Sequence, residues 1–182
     1  MIPVRPRDLL ESFDAFLLTR GLRLEAVVIG GAALNLLGFV SRVTKDCDIL
    51  HPDLPPSIQE ASRAFARERR AQGEEVQDDW LNNGPAQLAK QLPANWNHRL
   101  QPAFNGKALT LSALGRADLL KSKLFALCDR GLDLADCVSM KPTSEELAEA
   151  IPWLESQDAN RDWPAHVRAT LADVGRRLGH GI

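Results

Sequence analysis

The spacing of apolar residues predicts a helix, a strand and a glycine turn at the start of the chain. Between residues 6 and 20 the apolar side chains recur on one helical face. Residues 25–29 form a short β-branched run that stops at Gly30 and Gly31, which is typical of a buried strand. Two further elements are predicted after the glycines, a helix over residues 32–37 and a strand over residues 45–50.

The middle of the chain has a weaker pattern, in which strands and turns alternate. The expected elements are a polar helix over residues 56–70, a strand near Val76, a turn over residues 82–85, a short helix, and strands over residues 99–104 and 108–111. Asn105-Gly106 lies between the last two strands, and this dipeptide is a strong hairpin signal.

Only helices are predicted after residue 112. They cover residues 115–130, 132–140 and 163–178, with another starting near residues 142–146, where a serine or threonine cap precedes acidic residues. The order of elements predicts an α+β fold, with a small mixed sheet flanked by helices in residues 1–112. Residues 113–182 are expected to form a helical region packed on that core.

Length and charge limit the classes of function. A chain of 182 residues buries enough surface to fold without a disulfide or a structural metal. The net charge of -2 argues against a protein that holds nucleic acid through a broadly basic surface. A local basic patch stays open as an alternative.

The cysteines and the apolar runs indicate a cytoplasmic protein without a membrane segment. Cys47, Cys128 and Cys137 are odd in number and lack C-x-x-C spacing, which favours reduced thiols. No apolar run approaches the roughly 18 residues that a membrane-spanning helix needs.

Two aspartates in the second predicted strand are the strongest candidates for chemistry. Because alternate side chains of a strand share a face, Asp46 and Asp48 point one way while Cys47 and Ile49 point to the core. Two nearby carboxylates repel each other unless a cation lies between them, and Mg²⁺ with substrate phosphates is the usual occupant. Thr44 has the same parity and is placed to reach a phosphate oxygen or a metal-bound water.

The glycine pair suits a phosphate-binding turn. Gly30 and Gly31 end one strand and open a helix, so backbone N–H groups can approach a polyphosphate without side-chain obstruction. The glycine turn would hold the leaving phosphates and the aspartates would hold the metal at the reacting phosphorus. Catalysis would then consist mostly of positioning and charge neutralisation.

These residues, together with a second block, carry a family resemblance. The segment Gly30-Gly31 followed by Arg42-x-Thr44-x-Asp46-x-Asp48-Ile49 resembles the signature of the DNA polymerase beta-like nucleotidyltransferase superfamily. Within that superfamily it is similar to the AbiEii-type toxin branch and its uncharacterised relatives. Residues 118–127 and 129–136 are similar to that branch's lysine block and arginine–aspartate block.

The resemblance implies a nucleotidyltransferase-type sheet and assigns roles to residues. The implied catalytic residues are Asp46, Asp48, Lys123 and Asp133, with Asp46 and Asp48 as metal ligands. The implied nucleotide-binding residues are Gly30, Gly31, Arg42, Thr44 and Arg130. Arg130 is also placed to hold Asp133 or Asp136.

The implied activity is transfer of a nucleoside monophosphate from an NTP to an acceptor hydroxyl. The cofactor would be Mg²⁺, with Mn²⁺ as the alternative. A toxin–antitoxin setting is implied, with RNA or tRNA as the acceptor and an antitoxin protein as the partner.

One departure favours a second hypothesis. The superfamily usually offers a third carboxylate from a neighbouring strand, and the strand over residues 108–111 has none. Asp78 or Asp79 is the best local candidate. Without a third carboxylate, the chain would be a catalytically silent nucleotide-binding or antitoxin-like module of the same fold.

Several candidates also have a structural interpretation. Lys123 would ordinarily be a solvated helix lysine, and Asp133 and Asp136 would ordinarily cap a helix. The arginines between residues 63 and 70 are more often a solvated face than an RNA groove. Trp80 and Trp96 are more often packing residues than base-stacking platforms.

Overall fold

The structure, a computed structural model, describes residues 5–180 and contains two compact units. One unit runs to Lys90 and also includes Arg99–Leu114. The other consists of Gln91–His98 and the chain from Gly115 onward. A five-stranded mixed sheet and, among the described residues, seven α-helices confirm the α+β class.

The first unit is organised by its sheet. The strands are β1 (Leu24–Ile29), β2 (Cys47–His51), β3 (Leu81–Asn82), β4 (Gln101–Asn105) and β5 (Leu109–Ala113), in the order β3-β2-β1-β5-β4. β1 is central, antiparallel to β2 and parallel to β5. Its side chains are almost all buried, as the short β-branched run predicts.

Three helices accompany this sheet: α1 (Pro6–Thr19), α2 (Gly30–Leu36) and α3 (Pro56–Ala71). An aromatic cluster joins α1, α3 and the chain just before β3. Its rings belong to Phe13, Phe16, Phe65 and Trp80, with neighbouring centroids 5.1–6.2 Å apart. Trp80 is 1% exposed, so it is a core residue and offers no surface for base stacking.

Two strand predictions are wrong in detail. Val76 lies outside any strand, and the strand of this segment is the two-residue β3, which includes Asn82 from the predicted turn. β2 begins at Cys47, so Asp46 lies in the connection before the strand. A segment forms a strand only where a neighbouring strand pairs with its backbone. β3 has two residues that pair with β2.

The β4–β5 hairpin forms as predicted, and α1 holds its turn. The carboxylate of Asp14 accepts hydrogen bonds from the backbone N–H groups of Lys107, Ala108 and Leu109 at 3.1, 2.7 and 2.7 Å. A Cβ built on Gly106 would overlap that carboxylate. Gly106 is therefore required because Asp14 occupies the space in which a side chain would begin.

The second unit contains α4 (Arg116–Arg130), α5 (Leu134–Ser139), α6 (Ser144–Glu155) and α7 (Trp163–Arg177). The predicted cap at the start of α6 is a complete capping box between Thr143 and Glu146. Phe125 of α4 packs edge-on against Trp153 and Trp163, which join α6 and α7 to it.

The described cysteines are all buried free thiols. Burial raises the pKa of Cys47 and Cys137 to about 12 and that of Cys128 to about 11, so the thiolate form is suppressed at neutral pH. Within residues 5–180, every helix falls short of the length and apolar character that a membrane crossing requires.

Candidate functional site

The pairing of β1 with β2 places Asp48 against the glycine turn. Ile29, the last residue of β1, is the register partner of Asp48. Gly30 follows with φ of 73°, and a Cβ built on it would lie 2.9 Å from Asp48 Oδ2. Both the positive φ and the close carboxylate exclude a side chain at this position.

The second glycine faces the loop that leads into β2. A Cβ built on Gly31 would lie 3.3 Å from Thr44 Oγ1 and 3.5 Å from Arg42 Nη2. Asn35 of α2 holds this loop by donating to the backbone carbonyl of Arg42 at 3.0 Å. The structure thus brings together five predicted residues: Gly30, Gly31, Arg42, Thr44 and Asp48.

Asp46 completes this group from the loop rather than from the strand. The Thr44 hydroxyl donates to the Asp46 carbonyl at 3.1 Å and accepts from the Asp46 N–H at 3.4 Å, which fixes the backbone just before β2. The Asp46 side chain is exposed and forms no ion pair with the rest of residues 5–180. Its carboxylate is therefore available to a ligand.

Cys47 lies between Asp46 and Asp48 in the chain, and their charges affect the pKa of its thiol. Its thiol is buried, and its pKa is raised chiefly by burial and then by the negative charges of Asp48 and Asp46. Two negative charges therefore act on the start of β2, and Arg42 beside Gly31 is a cation of the same cluster.

The donor set fits a hard divalent cation that is shared with a substrate. No group of three or more metal-ligating His, Cys, Asp or Glu side chains occurs among residues 5–180. Mg²⁺ commonly binds through one or two carboxylates and takes its remaining ligands from water and substrate phosphates. Asp46 and Asp48 are the residues that would hold such an ion.

Asn82 is a site residue that the sequence pattern did not reveal. Asn82, in β3, is the register partner of Asp48 in β2, and its Nδ2 donates to Asp48 Oδ1 at 3.1 Å. Its own Oδ1 accepts from Gly84 N–H at 2.7 Å, so the amide orientation is set from both ends. Asp78 does not take this position, because its carboxylate pairs with Arg70 at 2.5 Å.

The predicted residues of the second unit form a separate buried cluster. Lys123 of α4 is 6% exposed, and its Nζ lies 2.8 Å from Asp136 Oδ2 and 3.0 Å from Asp133 Oδ2. The α4–α5 connection brings these groups together, since Gly131 and Asp133 both adopt positive φ and fold α5 back on α4.

This cluster corrects three interpretations of its residues. Lys123 is not a solvated helix lysine, and Asp133, although at the N-cap position of α5, makes no capping hydrogen bond with its side chain. Arg130 does not hold Asp133 or Asp136. It pairs instead with Asp129 at 3.7 Å, and Lys123 donates hydrogen bonds to the other two carboxylates.

Comparison with known protein families identifies the chain. A family model described as "Nucleotidyltransferase of unknown function (DUF6036)" matches residues 7–146, more than half of the chain. The chain belongs to this nucleotidyltransferase family. The matched range of the family contains both the cluster around Asp48 and the cluster around Lys123. Searches of curated proteins and of solved structures found no match.

Proposed function

We propose that this protein transfers a nucleoside monophosphate from an NTP to an acceptor hydroxyl. The acceptor oxygen forms a bond to the α-phosphorus and gives up its proton to water, the bond to the bridging oxygen breaks, and pyrophosphate leaves. The observation that carries the proposal is the position of Asp48 against Gly30, with Asp46 and Thr44 beside them.

In the proposed reaction the glycine turn leaves room for the phosphates. Gly30 and Gly31 present backbone without side chains, and Arg42 beside Gly31 supplies a guanidinium suited to phosphate oxygens. α2 has only seven residues, so its helix dipole would contribute little to phosphate binding. The Arg42 side chain and the backbone amides of the glycine turn would provide most of it.

Asp46 and Asp48 would hold Mg²⁺, with Mn²⁺ as the alternative. Bound there, the ion would neutralise phosphate charge and polarise the reacting phosphoryl group. Asn82 holds one oxygen of Asp48 and leaves the other facing Gly30, and this fixes the direction in which the carboxylate presents its lone pairs.

In the second unit, we infer that Asp133 takes part in the reaction and that Lys123 positions it. The resemblance implies both residues, and their different exposure supports different roles. The Asp133 side chain is 29% exposed, whereas that of Lys123 is 7% exposed and saturated by two carboxylates. That these residues and Arg130 act on the nucleotide held by Asp46 stays a prediction.

The resemblance to AbiEii-type toxins supports the proposed biological setting. We infer an RNA acceptor, with tRNA as the leading class, and an antitoxin protein as the partner. These assignments rest on the sequence blocks that contain Asp46 and Lys123.

One observation favours a second candidate, a nucleotide-binding module without transfer activity. The strand beside Asp48 carries the amide of Asn82 where a third carboxylate would complete a two-metal site. Such a module would bind NTP and its partner but would leave the acceptor unmodified.

Two measurements separate the candidates. The first is Mg²⁺-dependent binding of each NTP by calorimetry, and the second is transfer of label from α-labelled NTPs into total RNA. Binding with transfer supports the enzyme, and binding without transfer supports the silent module. Absence of Mg²⁺-dependent NTP binding would overturn both.

A further inference from the structure

The first unit has a basic groove at the side of α3. Its volume is about 570 Å³, and it is lined by residues just after α1 and by α3 between Ser57 and Arg67. Three arginines, Arg20, Arg63 and Arg67, line it together with one acidic residue, Glu60. The lining therefore has an excess of positive charge, although the whole chain has a net charge of -2.

The arginines of α3 fall into two groups that differ in their partners. Arg69 makes a two-point ion pair with Glu74, and Arg70 pairs with Asp78 and with the Val76 carbonyl. Arg63 and Arg67, which face the groove, form no ion pair with any part of residues 5–180. Of the three groove arginines, Arg63 and Arg67 thus lack an ion-pair partner among the described residues, whereas Arg20 pairs with Glu68.

The groove arginines are arranged to attract an anion. Arg63 and Arg67 are four residues apart on a helix, where like charges lie side by side and repel. The Arg20 guanidinium carbon lies 3.4 Å from the centroid of the Phe16 ring, and Arg20 pairs with Glu68 at 3.4 Å. A phosphate between them would relieve the repulsion, and guanidinium groups bind phosphate through two parallel hydrogen bonds.

The groove lies at the opposite end of β1 from the glycine turn and Asp48. Arg20 and Leu22 precede the first residue of β1, whereas Gly30 and Asp48 lie at its other end. The five residue steps of β1 span about 17 Å at the strand rise of ~3.3 Å per residue. A ligand that contacts both places must be an extended polyanion, such as roughly five nucleotides of duplex at ~3.4 Å each.

We propose that the groove formed by Arg20, Arg63 and Arg67 binds the phosphate backbone of the RNA acceptor, away from its reacting end. The inference rests on the proposed transferase function and adds a docking surface to it. Contacts of this kind position the nucleic acid and read no base sequence. They give a binding constant that falls as salt displaces the protein from the phosphates.

The test uses the full chain and two double variants of equal charge. Arg63→Gln with Arg67→Gln removes the groove cations, and Arg7→Gln with Arg161→Gln removes two exposed arginines outside the groove. Binding of bulk tRNA is measured by fluorescence anisotropy over a salt series. The groove variant should lose about tenfold or more in affinity, and its slope against log salt should be shallower by roughly 1–2.

A third variant should change the affinity for tRNA in the opposite direction. Glu60→Gln removes the acidic group from the lining and should tighten tRNA binding. Equal affinities and salt slopes in the groove and control variants would overturn the proposal, as would a loss of NTP binding in the groove variant alone. Failure of the wild-type chain to bind NTP with Mg²⁺ would instead defeat the transferase function, whatever the tRNA result.

Discussion

Asn82 Nδ2 donates to Asp48 Oδ1 at 3.1 Å, across the short β2–β3 pairing. The amide neutralises none of the charge on Asp48 but fixes the orientation of its carboxyl group. A carboxylate at this position would add a third negative charge beside Asp46 and Asp48, and in the metal-free protein these charges would repel. In the proposed metal site, the amide would therefore orient Asp48 before any cation binds.

Removal of this amide should weaken nucleotide binding without unfolding the protein. Asn82→Ala removes a hydrogen bond that orients the Asp48 carboxylate. Loss of an outer-shell partner commonly lowers metal affinity about 10–100-fold. Mg²⁺-dependent NTP binding by calorimetry should fall in that range. Asn82→Asp should lower the metal-free Tm and raise Mg²⁺ affinity. Unchanged Mg²⁺ affinity in both variants would show that Asn82 serves only the turn at Gly84.

Asp46→Asn should separate metal binding from stability. The carboxylate makes no ion pair among the described residues, so its loss removes no intramolecular partner. The amide also relieves repulsion with Asp48, and the metal-free Tm should stay equal or rise slightly. Transfer activity should fall by roughly a hundredfold or more, because charge stabilisation of the phosphoryl group is lost. A marked fall in metal-free Tm would show that Asp46 is a structural residue.

Gly30→Ala should damage the site through two separate effects. Its φ of 73° costs an alanine about 1–2 kcal/mol, and the new Cβ would lie 2.9 Å from Asp48 Oδ2. Gly38→Ala is the matched control, because Gly38 has φ of 79° and open space around its Cβ. Both variants should lose stability in denaturant unfolding, but only Gly30→Ala should lose Mg²⁺-dependent NTP binding. Equal NTP affinities would remove the glycine turn from the site.

The sequence predicted the Gly30–Asp48 part of the site because its signals are local. A β-branched run ended by glycines and an alternating pair of acids each carry their meaning within a few residues. Asn82 was missed because β3 has two residues and no measurable period. The segment that follows it has the composition of a turn, and Asn82 does bond to Gly84 as turn residues do.

The sequence contains a signal for the burial of Lys123, but the rarity of buried lysines outweighs it. It lies four residues from both Leu119 and Leu127, which are buried, so the helix period alone puts it on the core face of α4. Lysine is seldom buried unless paired, and the pairing depends on a turn after Arg130 that propensity does not specify. The burial of Lys123 could therefore be established only from the position of α5, which carries its partners.

Lys123→Met tests the role of this lysine. It should reduce the free energy of unfolding by about 3–5 kcal/mol, because it removes the ammonium group that pairs at 2.8 Å with the Asp136 carboxylate, whose side chain is 3% exposed. Asp133→Asn should cost less, since Lys123 keeps Asp136. Chemical denaturation of both variants measures the difference. Native stability of Lys123→Met combined with lost transfer activity would make Lys123 a catalytic residue instead of a positioning one.

Asp14 should make stability depend on acid pH. Burial raises the pKa of its carboxyl, but hydrogen bonds from Ala108, Lys107 and Leu109 outweigh burial and lower the pKa overall. A lowered folded pKa contributes stability above the unfolded value of about 3.9, and this contribution is lost as the pH falls through the folded pKa. The stability gap between wild type and Asp14→Asn, followed by urea unfolding, should be constant near neutrality and shrink below about pH 4. A gap that is independent of pH would contradict this assignment.

The fit of Asp14 into the space beside Gly106 also constrains how the two positions can change over time. A methyl group at residue 106 is blocked while the carboxylate is present, and a shorter residue at 14 leaves the hairpin N–H groups without acceptors. Each substitution is harmful alone, yet the loss of Asp14 removes the obstacle to a side chain at residue 106. The two positions, 92 residues apart, therefore show epistasis. A lineage that lost Asp14 would tolerate side chains at residue 106 that this protein cannot accommodate.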